Sequence, residues 1–231
     1  MLRQSIVASL LTLTFGVALS HQAAAATVFS EDFDGYYGGI VTAGQYQSNL
    51  HVEYNGNLAG WSKSGGNALH GVDHANQAGT LANPRDYSVM VWEDTLTLAN
   101  AITGSNIAGT TYTVGFDASA AVYQAASQQT AAGDKLLIQI LRANNSVLAS
   151  YEYAPGAWTG TIAFSSAGFS YTGDGSGDVR VRIGPAVAND GRFNGAIDNF
   201  SISAVPLPAG FPLLLAGLGG LGLVARRRKA A

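Results

Sequence analysis

The stretch Thr111-Tyr112-Thr113-Val114-Gly115-Phe116-Asp117 alternates in character along its length. Tyr112, Val114 and Phe116 share one face, and Thr111, Thr113 and Asp117 share the other. A period of two is the side-chain period of an extended strand with one buried face. Asp178-Val179-Arg180-Val181-Arg182-Ile183 repeats the pattern, with Val179, Val181 and Ile183 facing inward and Asp178, Arg180 and Arg182 outward. Working outward from these two, short strand-like runs between turn residues recur near 28–33, 69–72, 87–92, 95–98, 135–142, 146–153, 161–169 and 196–202. Asn144-Asn145 reads as a hairpin turn joining Leu141 to Val147. About ten short strands, each with one half-buried face, predict an all-β domain of two packed antiparallel sheets. The Ala/Gln-rich segment 118–132 is a short helix or a loop.

The two ends of the chain read differently from its middle. Arg3, the apolar run from Ile6 to Leu19 and the small residues Ala23-Ala24-Ala25-Ala26 have the order of a signal peptide over 1–26, cleaved by signal peptidase. At the other end Val205-Pro206-Leu207-Pro208-Ala209 leads into an uncharged apolar run that stops at Arg226-Arg227-Arg228-Lys229. As a helix, the run from Ala209 to Ala225 measures about 25 Å. That is near the lower limit for a bilayer core. Residues 210–225 therefore read as a transmembrane helix, with the four cations held on the cytoplasmic side.

Removing both ends changes the charge balance. The whole chain is −3, but 27–204 keeps all 15 acids and only seven of the 12 basic residues, which leaves −8. An acidic domain argues against nucleic acid or anionic lipid as a partner, and suits cation binding or simple solubility. With no cysteine in the chain, stability must come from core burial or from a metal.

The tail, with Val205, Pro206, Leu207, Pro208 and Ala209 followed by an apolar helix and a basic end, closely resembles the VPLPA variant of the PEP-CTERM sorting signal of Gram-negative bacteria. The resemblance implies export through the inner membrane and transient anchoring by the C-terminal helix. An exosortase-type membrane transpeptidase would then cut near the motif, leaving the mature protein at the cell surface or outside the cell. A second resemblance covers the middle of the chain. Phe29-Ser30-Glu31-Asp32-Phe33, Gly60-Trp61 and Ile197-Asp198-Asn199-Phe200-Ser201-Ile202 are similar to the frame of jelly-roll carbohydrate-binding modules. It implies a jelly-roll sandwich and a polysaccharide partner.

Strand parity points to one metal site. Phe29, Glu31 and Phe33 fall on one face, and Asp198, Phe200 and Ile202 on one face, so both carboxylates are expected to point inward. A buried carboxylate is costly unless it is paired or bound to a metal. Glu31 and Asp198 sharing one Ca²⁺ between the terminal strands would satisfy both. The competing reading is that one of them lies solvated at the rim or pairs with an arginine such as Arg192.

Among the aromatics, Trp158 in the loop 155–160 is the candidate for stacking on a sugar ring, while Trp61 and Trp92 read as core. His70 and His74 would stand about 13 Å apart on a strand, too far to share a metal unless the chain turns at Gly71. Asp32-Asp34 and Glu93-Asp94 are carboxylate pairs, but glycosidases need two carboxyls facing each other across a cleft. No catalytic motif is present.

The expected protein is an exported, non-enzymatic β-sandwich serving as a structural or adhesive component of exopolysaccharide or biofilm. The alternatives are a calcium-stabilised carbohydrate-binding module with a defined glycan ligand and, more distantly, a glycoside hydrolase.

Overall fold

A computed structural model describes residues 25–33, 52–54, 60–64, 69–73, 87–92, 94–120, 129–159, 163–187, 191–192, 194–206 and 218. The chain divides into two units, Ala24–Pro206 and a second formed by Met1–Ala23 with Leu207–Ala231. The expected signal peptide lies outside the described residues except at Ala25 and Ala26, and the expected transmembrane helix except at Leu218. Arg226, Arg227, Arg228 and Lys229 lie outside them, as do Leu207, Pro208 and Ala209 of the motif.

The strands are β1 Ala26–Glu31, β2 Val52–Tyr54, β3 Trp61–Ser64, β4 Leu69–Asp73, β5 Tyr87–Val91, β6 Thr95–Leu98, β7 Thr111–Ser119, β8 Leu136–Leu141, β9 Val147–Tyr153, β10 Ser165–Thr172, β11 Arg180–Pro185 and β12 Gly195–Ala204. The larger sheet runs β10-β7-β12-β5-β4-β2, with β1 also on β12, and the smaller runs β3-β6-β11-β8-β9. Every ladder is antiparallel. From β5 onward the chain crosses between the sheets at each connection except the β8–β9 hairpin. With the first and last strands paired, this is the winding of a jelly roll. The all-β, two-sheet antiparallel architecture is the one the alternation predicts.

The core forms between the sheets from the inward halves of these alternations. Tyr112, Val114 and Phe116 of β7 are buried, as are Val181 and Ile183 of β11 and Leu136, Ile138 and Ile140 of β8. Each such side chain contributes about 1.5–3 kcal/mol by leaving water. Phe116 lies at the centre of an aromatic layer. It stacks on Phe200 at 6.5 Å and meets Tyr153 edge-on at 5.7 Å.

Two strands went unread in the sequence, β2 and β3, because three and four residues are too few to show an alternation. β10 begins at Ser165 and ends at Thr172 rather than spanning 161–169. Its alternation continues through Ala167, Phe169 and Tyr171, and Tyr171 stands opposite Tyr112 in the ladder.

One end of the sandwich is closed by hydrogen bonds, in a chain without disulfides. The rings of Tyr112 and Tyr171 stack at 5.0 Å. Tyr112 Oη accepts from Ile107 N–H at 3.0 Å and donates to the Gly104 carbonyl at 2.8 Å. Tyr171 Oη donates to the Ser105 carbonyl at 2.6 Å. Burial, with Tyr112 beside it, pushes the Tyr171 hydroxyl above its ordinary range. In the next loop, Asp174 accepts from Ser176 N–H, from Arg142 Nε at 2.7 Å and from Asn106 Nδ2 at 2.8 Å. Ser176 first, then Arg142 and Asn106, hold its carboxyl well below the usual carboxylate range. Gly173 is required here, since a Cβ would stand 2.3 Å from the Ile107 carbonyl oxygen.

Candidate functional site

The alternation that buries one half of the smaller sheet turns the other half outward. Leu137 and Gln139 of β8, Arg182 and Gly184 of β11, and Thr95 and Thr97 of β6 share the outer face. The ladders align them. Ser150 pairs with Gln139, Gln139 with Arg182, Arg182 with Thr97, and Thr97 with Ser62. An uninterrupted polar row thus crosses all the strands of this sheet, roughly 19 Å at about 4.8 Å per strand.

Beside the row lies an open groove lined by Ser64, Thr95, Thr97, Leu137, Gln139, Arg182, Gly184 and Pro185. Its floor is glycine for a steric reason: a Cβ on Gly184 would come within 2.8 Å of Thr95 Oγ1. Arg182 Nε donates to Thr97 Oγ1 at 3.4 Å. The neighbouring Arg180 is tied to the β8–β9 hairpin, donating to the Ala143 carbonyl and, at 2.7 Å, to Asn145 Oδ1. That hairpin is the Asn144-Asn145 turn read from sequence, with Asn145 at φ 65°. The groove offers the hydrogen-bonding groups of Ser64, Thr95, Thr97, Gln139 and Arg182 beside the apolar Leu137 and Pro185.

Glu31 and Asp198 are separated by a β-bulge. Ile197 pairs with Ala118 and Asp198 with Asp117, but the register then slips so that Ser201 pairs with Gly115. Asn199 and Phe200 together oppose Phe116. Asn199 takes φ 47°, the left-handed conformation that asparagine tolerates best among side-chain-bearing residues. The extra residue reverses the parity. Phe200 and Ile202 face the core, while Asp198 lies on the side of Asp117, the outer face of the larger sheet. Asp198 is 1% exposed there, and its Oδ1 accepts from Asn199 N–H at 2.7 Å.

Glu31 pairs with Phe200 and faces the core, as parity predicts. Its Oε1 accepts from Phe33 N–H at 3.1 Å and its Oε2 from Trp61 Nε1–H at 3.3 Å. Glu31 and Asp198 thus lie on opposite faces of the larger sheet rather than together on the inner one. Among the described residues no group of three or more His, Cys, Asp or Glu side chains is placed to hold a metal.

Trp158 is half-buried, and its backbone N–H donates to the Thr130 carbonyl at 2.9 Å. It is not among the residues lining the groove. Trp61 is core, 4% exposed and 6.0 Å from the ring of Phe33. Val205, the first residue of the Val205–Ala209 stretch, donates its N–H to the Thr111 carbonyl at 2.8 Å, so the domain's hydrogen bonding reaches the start of that stretch. His70 lies in β4 opposite Glu53 and Met90. His51, His74, Asp34 and Glu93 lie outside the described residues. Asp94 is buried and meets Lys63 Nζ at 3.5 Å.

Sequence reasoning did not find the groove. The outward position of Arg182 was legible in the alternation of 178–183, but its alignment with Gln139 and Thr97 depends on ladder registers.

No protein-family model and no curated protein matches the chain. Among solved structures it is similar to the CBM22-1 xylan-binding domain of Paenibacillus barcinonensis Xyn10C, at 14% identity and a TM-score of 0.42 over 80% of this chain and 99% of that one. It is similar to TmCBM61, solved with β-1,4-galactotriose, at 18% identity and a TM-score of 0.38 over 67% and 98%. A carbohydrate-binding module from Cellvibrio mixtus lichenase 5A, solved with cellotriose, matches at 17% identity and a TM-score of 0.34 over 58% and 92%. At such scores these likenesses carry no argument, and the fold stands on the strand pairing described above.

Proposed function

We propose that this chain is an exported, non-enzymatic β-sandwich that binds polysaccharide through the outer face of its smaller sheet. The observation that carries the reading is the polar row Ser150, Gln139, Arg182, Thr97 and Ser62, which presents one hydrogen-bonding side chain per strand along an open groove. An extended glycan presents hydroxyls in a comparable repeat. The ligand class comes from the jelly-roll frame at Phe29–Phe33, Gly60-Trp61 and Ile197–Ile202. None of the described groove-lining residues is Asp or Glu, whereas glycoside hydrolysis uses two carboxyls across the scissile bond.

The terminal segments give the setting. A signal peptide, the VPLPA motif and its basic stop would deliver the domain to the surface of a Gram-negative cell through signal peptidase and an exosortase-type transpeptidase. There a polysaccharide-binding sandwich would act as an adhesive part of exopolysaccharide or biofilm. The test is a binding panel of soluble and insoluble polysaccharides against the whole chain in mild detergent. Saturable binding, weakened by Gln139→Ala and not by Trp158→Ala, is expected. Absence of binding across the panel by folded protein would leave only a passive structural role.

A further inference from the structure

We propose that the polysaccharide carries an anionic group, a uronate carboxylate or a sulfate ester, and that Arg182 receives it. This rests on the polysaccharide-binding reading and adds the charge class of the ligand. Arg182 lies on β11, the middle strand of the smaller sheet, between two neutral neighbours in the row, Gln139 and Thr97. Its guanidinium has five N–H donors in a planar fork and keeps its charge at any physiological pH. Within the described residues it makes one long hydrogen bond, the 3.4 Å contact to Thr97 Oγ1, and no ion pair.

Other described cations are placed differently. Arg142 meets Asp174 at 2.7 Å, Lys135 meets Glu152 at 2.8 Å, and Lys63 meets Asp94 at 3.5 Å. Arg180, two residues away on the same face, is committed to the hairpin. Arg182 is therefore a cation kept on the middle strand, in a groove whose described lining residues include no acid. A planar fork with several N–H donors unused matches two oxygens of a carboxylate or sulfate, which it takes in bidentate fashion. The −8 charge of 27–204 does not prevent this. Repulsion between exposed charges fades over about 8 Å at physiological salt. Glu152, on β9 at the groove's side, is held by Lys135.

The experiment compares matched polymers on the whole chain in mild detergent. The probes are polygalacturonate and its carboxyl-reduced form, and a sulfated galactan and its desulfated form. The expected result is binding about tenfold tighter to a charged form than to its neutral match, or about 1.4 kcal/mol. That preference should disappear in Arg182→Gln and persist in Arg180→Gln. Which pair shows it identifies carboxylate or sulfate as the source. Equal binding of charged and neutral forms, or a preference that survives Arg182→Gln, overturns the inference and leaves the polysaccharide reading intact. Failure of the wild-type chain to bind any of the four polymers counts against both. Should Arg182→Gln not fold, Arg182→Lys, which keeps the charge without the fork, must still reduce the preference.

Discussion

The outer face of the smaller sheet and the β5 end of the larger sheet's outer face are built by the same alternation and end in opposite states. On the smaller sheet the outward residues Gln139, Arg182, Thr95 and Thr97 are partly exposed and line a groove. On the larger sheet the outward residues Ser88 and Ala196 are fully buried, Asp198 is 1% exposed and Ser119 is 2% exposed. The chain entering β10 reaches over that face, where Ala163 N–H donates to Ser119 Oγ at 3.0 Å. Polar character thus does not mark the open face. Two of these buried polar groups have local hydrogen bonds, Ser119 with Ala163 and Asp198 with Asn199, while the Ser88 hydroxyl has none. Away from the β5 end the larger sheet is open too, with Thr27, Ser203, Thr113 and Ser170 aligned across its outer face.

Asn199 keeps the two faces of the larger sheet apart, so its removal is expected to have the largest effect. Deleting Asn199 abolishes the bulge and slips the register by one. Either Phe200 leaves the core or Asp198 enters it, because a one-residue slip inverts every side chain beyond it. Loss of the cooperative unfolding transition is expected in the deletion, and Asn199→Gly, which keeps the left-handed φ, is expected to fold. A deletion variant with a normal transition would mean that the bulge does not set the parity.

A smaller effect is expected from adding volume to the covered face. Ala196→Leu places extra methylenes where none of the alanine is exposed. Overpacking of this kind costs about 1–3 kcal/mol, read as a lower midpoint in urea. The same substitution on an open face costs far less. An unchanged midpoint would show that the cover over Ala196 is loose.

Glu31 sharpens the comparison from the core side. Its two oxygens already accept from Phe33 N–H and Trp61 Nε1–H, and these bonds hold the turn that drives Phe33, at φ 57°, into the core. Glu31→Ala is expected to cost about 1–3 kcal/mol, the penalty for leaving such donors unpaired. The melting temperature of the wild type is expected to be the same with calcium and with chelator. A calcium-dependent rise that Glu31→Gln and Asp198→Asn both abolish would restore the shared cation despite the bulge.

The sequence carried the fold where alternation was long and the turns conventional. Thr111 to Asp117, 178–183 and the Asn144-Asn145 hairpin were legible because side-chain period and turn chemistry are local. Asp198 was misplaced because an asparagine at positive φ looks like any other strand residue until its partner strand is seen. The groove was hidden for a related reason. Gln139, Arg182 and Thr97 are more than 40 residues apart at each step, and only the ladders bring them into line. Trp158 drew notice because aromatics are conspicuous in a sequence, whereas a row of one polar residue per strand is not.

The smallest effect on stability is expected on the open face itself, where it separates folding from binding. Thr97→Val keeps the shape of the side chain and removes the hydroxyl that accepts from Arg182 Nε. Because that bond is long and partly exposed, the melting transition should move by less than about 0.5 kcal/mol, the range of ordinary surface changes. Binding should respond more than folding, since the hydroxyl is both a member of the polar row and, among the described residues, the group that hydrogen-bonds the Arg182 fork. Weaker polysaccharide binding at unchanged stability is the outcome that a ligand face requires. A loss of stability without a loss of binding would mean that the row serves the sheet and that the groove is incidental to it.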